Sequence, residues 1–436
     1  MRGHPNHNYM IKITLHKFFK LYSLIIIAMC PVMLVECTNV EPEPGPGTNP
    51  EQKRAESTTL VYAIATNSLS RNMVDDKAEM LLAASSIDLE KNNVLLFETS
   101  YKLDPETNSY VLDDHNKRVG SVMLQKIVKV EEGYAWETVK EYSTDVPPLK
   151  GERMAEIIDA VRTSFPAENY GLIFWSHSSG ADPYVVQNQS STMPVSGLTV
   201  AELPSVSWFG QDLTSTDANY TYMNIDDMAD VLPDHFFDFI WFDSCYMSNI
   251  ESIYQLRNKC NKYIGYATEV WEPGLPYDRV LPYLAQREPE IEEAAEIFFN
   301  FYDKEYSHNN ATIAVTETAA LDRLASYCSD FFDSAIIADR YAMEQYSRGS
   351  IGPFYDLGDY AKEMARQHGE ELSDEEWQEV LSEFVIYKAA TRKDFNNNII
   401  YPERYSGIST HNYNLKDTSD RELYYRSLQW YSRVFK

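Results

Sequence analysis

Phe237-Asp238-Phe239-Ile240-Trp241-Phe242-Asp243-Ser244-Cys245-Tyr246-Met247-Ser248 is an apolar run that stops on an acid and a thiol. With Pro233 behind it and a polar turn ahead, it reads as a buried strand that delivers Cys245 to the rim of a sheet. The rim at the carboxyl ends of the strands is where open α/β sheets bind ligands. An earlier run, Gly171-Leu172-Ile173-Phe174-Trp175-Ser176-His177-Ser178-Ser179-Gly180, has the same build and ends on a histidine followed by small residues. Two strands therefore end on a base and a nucleophile, 68 positions apart in the chain.

The surrounding pattern is that of an α/β protein. Segments 60–65, 73–86 and 93–99 read as strand, helix and strand, the beginning of a parallel sheet. Between 101 and 144 alternation with turn signals at Asp113-Asp114-His115-Asn116 and Glu131-Glu132-Gly133 predicts hairpins. Met154, Ile157, Ile158, Val161 and Phe165 make one helical stripe, and a short amphipathic helix at 225–232 leads into the cysteine strand. A helix is expected to open at Cys245 and run to about 257, followed by a strand at 263–267. Beyond it, helices are expected over 289–306, 318–336, 355–367, 373–389 and 419–433, with strands at 312–315 and 407–410. No linker interrupts 55–436, which reads as one large domain or as one that sets off a helical subdomain over about 318–436.

At 436 residues and 44% hydrophobic content the chain buries a large core. Its 66 acids against 38 bases, a formal charge of −28, argue against a nucleic-acid partner, because phosphate binding needs clustered Lys and Arg. The first 37 residues read as a targeting segment: Lys12, Lys17 and Lys20 precede an apolar run from 21 to 35 that Pro31 interrupts. Leu34-Val35-Glu36-Cys37 resembles a bacterial lipobox, although Glu36 stands where a small residue is usual. Residues 38–54 are a Pro-, Glu- and Gly-rich tether. The expectation is an exported protein held on the outer or cell membrane through a lipid on Cys37, with plain secretion as the alternative. Setting aside Cys30 and Cys37 leaves Cys245, Cys260 and Cys328, an odd number that leaves at least one thiol unpaired. Cys260 and Cys328 read as small core residues. No His/Cys cluster at metal-ligand spacing is present, so neither a metal nor a cofactor is expected.

A thiol attacks as thiolate, and a histidine within reach both accepts its proton and later protonates a leaving amine. Strand ends on one rim of a parallel sheet bring His177 and Cys245 together for that work. Backbone N–H groups at Ser178 or Ser179, after the histidine, and at Cys245 itself are the candidates to hold a developing oxyanion. The acidic and aromatic loop Glu269-Val270-Trp271-Glu272-Pro273-Gly274-Leu275-Pro276-Tyr277 follows the next strand on the same rim, as pocket wall or as ordinary connection.

With Trp208-Phe209-Gly210-Gln211-Asp212, Phe354-Tyr355-Asp356-Leu357-Gly358-Asp359 and Tyr405-Ser406-Gly407-Ile408-Ser409-Thr410 added to these runs, the chain resembles the clostripain family of cysteine peptidases, in particular exported members from gut Bacteroidetes. The resemblance implies a caspase-like three-layer sandwich, a His177/Cys245 dyad and cleavage after Arg or Lys, with calcium used by part of the family. It implies that Asp243 helps form the pocket for the basic side chain, with Glu272 or Glu269 as the second acid. The competing reading of Asp243 is a cap for the helix expected at Cys245. Three departures stand out. Ser178 replaces the usual Gly after the histidine, which distorts the oxyanion site if a positive φ is needed there. Ser244 and Tyr246 replace smaller residues around the nucleophile. No Lys or Arg occurs between Arg162 and Arg257, where some relatives cut themselves. Two other functions fit the same residues: a catalytically silent, peptide-binding surface lipoprotein, and a Cys/His amidase or acyltransferase.

Overall fold

The computed structural model describes residues 54–435 except 105, 108, 181–208, 216–220 and 349–350. The targeting segment, Cys37, most of the tether and most of the loop after His177 lie outside the described residues. The chain divides into two units, Met1–Thr48 and Asn49–Lys436, and every described residue belongs to the second.

Strands β1 (Ala55–Ile64), β2 (Asn92–Tyr101), β3 (Gly120–Val130), β4 (Gly133–Glu141), β5 (Ala167–Trp175), β6 (Phe237–Asp243), β7 (Cys260–Gly265), β8 (Thr312–Glu317) and β11 (Val385–Ala390) form one sheet in the order β11-β8-β7-β6-β5-β1-β2-β3-β4. The run from β7 to β2 is parallel and both margins are antiparallel. A smaller antiparallel sheet joins β12 (Ser409–His411), β10 (Ile351–Asp356) and β9 (Gln345–Arg348). Central strands such as Leu60-Val61-Tyr62 and Ile240-Trp241-Phe242 are apolar on consecutive residues because helices cover both faces.

One face carries α1 (Asn72–Ala83), α5 (Tyr277–Leu284) and α6 (Ile291–Asn300). The other carries α2 (Gly151–Ser164), α3 (Ile225–Val231), α4 (Ile250–Gln255), α7 (Leu321–Cys328), α8 (Leu357–His368), α9 (Asp374–Ser382), α10 (Asp420–Ser427) and α11 (Gln429–Val434). The result is the expected three-layer α/β sandwich. From β1 the chain goes to β2 on one side and later to β5 on the other, so the strand order reverses between β1 and β5. A crevice opens at such a switch point, beyond the carboxyl ends of the strands.

Several expectations need correction. No helix opens at Cys245: residues 244–249 form a turn, and α4 begins at Ile250, where the Asn249 side chain accepts from the Ser252 N–H. Tyr246 adopts a left-handed φ of 59°, which a helix cannot continue through. The helix expected at 373–389 stops at Ser382, because Val385–Ala390 pairs with β8 as an edge strand. The stretch 318–336 keeps only α7 as helix, while α5, β9 and β10 had no counterpart in the sequence reading. The segment 318–436 thus carries strands as well as helices and completes the edge of the main sheet.

Candidate active site

β5 and β6 are neighbours, and Trp175 is in register with Asp243. His177 and Cys245 therefore stand at equal positions, two residues beyond the last register pair, on strands about 4.8 Å apart. From Tyr170 to Gly180 every residue but His177 is buried, and from Phe239 to Leu256 every residue but Cys245 is buried. The His177 and Cys245 side chains alone emerge from otherwise sealed segments.

The backbone around them is tied down. Ser178 Oγ donates to the Cys245 carbonyl at 2.5 Å, joining the two segments directly. The Gly210 N–H donates to the His177 carbonyl at 3.0 Å, and the Tyr246 N–H to the Thr268 carbonyl at 3.1 Å. Cys245 Sγ lies 4.0 Å from the Val270 carbonyl oxygen, and His177 Nε2 lies 2.8 Å from Ser68 Oγ. Behind the nucleophile, the Ser409 N–H donates to the Ser248 carbonyl at 2.8 Å and Ser248 Oγ to the Gly407 carbonyl at 2.7 Å. The C-terminal segment thus holds the nucleophile turn from below.

Ser178 has no positive φ, so serine in place of glycine strains nothing there, contrary to the distortion considered above. The left-handed residue is Gly180, at φ 77°, where a Cβ would lie 2.7 Å from the Tyr246 carbonyl oxygen and 2.9 Å from Asn249 Nδ2. Among the described residues no backbone carbonyl accepts from the Ser178 N–H.

Asp243 does not cap a helix. Its carboxylate is buried and accepts from the Leu275 N–H and the Tyr277 hydroxyl, each at 3.1 Å, with the Tyr266 hydroxyl at 3.5 Å. Gly274, at φ 57°, roofs it so closely that a Cβ there would come within 2.7 Å of Oδ2. Burial raises the Asp243 pKa to about 7; the hydrogen bonds from Leu275, Tyr277 and Tyr266 oppose the rise and the charge of Glu79 adds to it.

The acid that accompanies Asp243 is Asp76 of α1, buried and accepting from Trp175 Nε1 at 2.7 Å. Burial, reinforced by the charges of Asp243 and Glu79, pushes its pKa to about 9. Glu79, on the same helix, accepts from the Tyr277 N–H at 3.0 Å. Glu272 instead stands exposed on the loop, and Glu269 is buried with Asn396 Nδ2 at 2.9 Å from Oε2. The sequence reading missed Asp76, although it sits on the buried stripe Met73, Asp76, Met80, Ala83 of α1, where an acid is out of place unless something needs it.

An Asp76→Asn exchange tests this burial. The folded pKa of Asp76 lies above its unfolded value of 3.8, so the folded state retains a proton that the unfolded state releases, and stability falls as pH climbs from about 4 to about 9. Asn keeps an acceptor for Trp175 and carries no charge. Its advantage over the parent in urea or thermal unfolding is expected to widen by up to about 1.4 kcal/mol per pH unit across that range. A gap independent of pH would show that Asp76 titrates as an exposed acid.

Two surface cavities of about 680 and 590 Å³ lie beside α5; the first is lined by Glu56 and Asn92 at the amino ends of β1 and β2, away from this rim. Among the described residues no group of three or more His, Cys, Asp or Glu is placed to hold a metal ion, and no helix is long and apolar enough to cross a membrane.

No curated protein matches the chain at a significant level. Among solved structures it is similar to a secreted C11 cysteine protease from Bacteroides thetaiotaomicron bound to an irreversible peptide inhibitor, at 26% identity and a TM-score of 0.66, covering 87% of this chain and 99% of that one. An inactive zymogen of a C11 protease from Parabacteroides distasonis, 23% identical over 88% of this chain and 99% of its own, has the same fold at a TM-score of 0.66. The sequence profile of the clostripain family matches residues 61–432. With a match over most of its length, on a sandwich whose sheet presents His177 and Cys245 side by side, the chain belongs to the clostripain family of cysteine peptidases.

Proposed function

We propose that the protein is an exported endopeptidase in which His177 and Cys245 form the catalytic dyad and a basic residue precedes the scissile bond. The observation that carries this is the pairing of β5 and β6, which sets the only two unburied side chains of their segments at matching positions on neighbouring strand ends. His177 takes the Cys245 proton, and the thiolate attacks the scissile carbonyl carbon. The oxyanion is held by the backbone N–H groups of Ser178 and Cys245. The imidazolium returns its proton to the leaving amine, and water, activated by the same imidazole, releases the acyl group from sulfur. With no helix beginning at Cys245, the imidazole and these N–H groups supply the support for the thiolate.

Asp243 is read as the acid that meets the substrate's cation, with Glu272, exposed on the loop that follows β7, as the second acid. A buried acid whose pKa is raised to about 7 and which has tyrosines and acids for neighbours lacks a counter-ion, and a Lys or Arg side chain supplies one. The reaction as proposed calls on no metal or cofactor, and calcium stays open as a requirement that part of the family has. Export accords with the secreted relative from Bacteroides thetaiotaomicron, and the lipobox-like residues before Cys37 point to a membrane anchor. Fluorogenic peptides that differ only at the residue before the scissile bond test the reading. Cleavage after Arg and Lys supports it; cleavage after other residues keeps the dyad and removes the basic preference; no cleavage leaves a peptide-binding scaffold.

The absence of Lys and Arg between Arg162 and Arg257 makes a further prediction. An enzyme that cuts only after basic residues cannot cut itself between β5 and β6. The purified protein is expected to run as one chain through this region on a denaturing gel, and an amino-terminal sequence beginning between 181 and 222 in protein free of other proteases would contradict the specificity.

A further inference from the structure

We propose that Ser68 is a positioning residue for the dyad: its hydroxyl accepts the Nε2–H of His177 and so commits Nδ1 to Cys245. The inference rests on the dyad reading above and adds a third member to it.

The topology carries the first step. β5 lies between β1 and β6, so His177, just beyond β5, has the loop after β1 on one side and the turn after β6 on the other. Ser68 belongs to the first and Cys245 to the second. Nε2 is 2.8 Å from Ser68 Oγ, so it is the nitrogen on the β1 side, which leaves Nδ1 for the β6 side. For His177 to take a proton from the thiol, Nδ1 has to be the bare nitrogen, and the ring proton then sits on Nε2. The Ser68 hydroxyl accepts that proton in this tautomer and remains an acceptor when the ring becomes imidazolium, whereas facing a bare Nε2 it would have to turn and donate.

The second step is the rigidity of the loop that carries Ser68. Asn67 is buried, and its Nδ2 donates to the Ile64 carbonyl at 2.8 Å and to the Gln211 carbonyl at 2.9 Å, with Ser176 Oγ at 3.3 Å. Its Oδ1 accepts from the Leu69 N–H at 2.8 Å, closing a turn around Ser68. Ser176 Oγ donates to the Ile64 carbonyl at 2.8 Å, so the residue beside His177 is fastened to the end of β1. Gln211 belongs to the segment whose Gly210 holds the His177 carbonyl. Ser68 and His177 are thus mounted on one braced frame, while Ser68 itself faces solvent. Its exposure means that a change there alters the hydrogen bond without opening the core.

The test compares the parent with Ser68→Ala and Ser68→Thr, reading kcat/KM on an Arg peptide and the pH dependence of Cys245 alkylation by iodoacetamide. Asp76, Glu79, Asp243, Glu269 and Glu272, with Asp212 on Thr66, are the acids described around this rim, and all stay unchanged in the three proteins. Ala is expected to lower kcat/KM about tenfold and to move the alkylation profile upward by about half to one pH unit, since an imidazolium without its acceptor supports the thiolate less well. Thr is expected to restore both. Superimposable profiles in parent and Ala, or a Thr variant as impaired as Ala, would overturn the proposal while leaving the dyad standing. A parent whose Cys245 alkylates like an isolated thiol and which does not cleave the peptide would remove the dyad, and the role of Ser68 with it.

Discussion

Replacing Cys245 by alanine is expected to abolish peptide hydrolysis, and replacing His177 by alanine to lower kcat by about a thousandfold or more, with the double variant no worse than the Cys245 variant alone. The non-additivity is the diagnostic part. A histidine that works only through the thiol has nothing left to do once the thiol is gone, whereas two residues contributing separately to substrate binding would multiply. The fold is not at stake in these changes. Both side chains emerge from sealed segments, and neither belongs to the buried hydrophobic core. Thermal unfolding should therefore move by the equivalent of less than about 1 kcal/mol. Steady-state kinetics on the three variants decides the matter, and a Cys245 variant that still turns over substrate would place the chemistry elsewhere.

The second large effect is expected from Asp243→Asn. Removing the charge from a buried partner of a substrate cation costs about 2–5 kcal/mol, so kcat/KM for Arg and Lys peptides should fall by about thirtyfold or more, with little change for a peptide whose corresponding residue is neutral. The parent should show a matching pH signature. With the Asp243 pKa near 7 in the free enzyme, kcat/KM for a basic peptide rises as pH climbs through about 7, because only the ionised carboxylate attracts the cation. The Asn variant should lack that rise. Stability should move the opposite way. The folded pKa lies above the unfolded value, so the contribution of Asp243 to stability is present at low pH and lost as pH rises from about 4 to about 7. Asn removes that penalty, and at pH 8 the variant is expected to unfold at a higher temperature than the parent. Lower activity with higher stability separates a specificity acid from a merely structural one.

These features differ in how openly the sequence displays them. β5 and β6 are legible because a parallel strand covered on both faces must be apolar on consecutive residues, and each run breaks on a chemically distinctive residue. The rim positions of His177 and Cys245 follow from that pattern alone. Asp76 and Ser68 are not legible, for different reasons. Asp76 stands on the apolar stripe of α1, but what makes it a partner of Asp243 is α5 and the loop before it closing over α1, a long-range fact that the stripe does not record. Ser68 is one polar residue in a polar turn, and its meaning arises from lying beside a strand end more than a hundred residues later. The helix expected at Cys245 failed because tyrosine rarely signals a left-handed residue, while Asn249, a better cap, stands four residues further on. At β11, Val385-Ile386-Tyr387-Lys388-Ala389-Ala390 suits helix or edge strand, and the free edge of β8 decides.

The seat of the nucleophile turn on Gly407 and Ser409 has a consequence for the order of events in synthesis. His177 and Cys245 are both made in the first six-tenths of the chain, yet the residues that brace the Ser248 backbone follow about 160 positions later. While those residues are still unmade, the turn after β6 lacks its floor, even though β5 and β6 already exist to pair. The turn is thereby complete only when nearly the whole chain is present, so a carboxyl-truncated chain carries His177 and Cys245 without the floor that fixes the backbone beside Cys245.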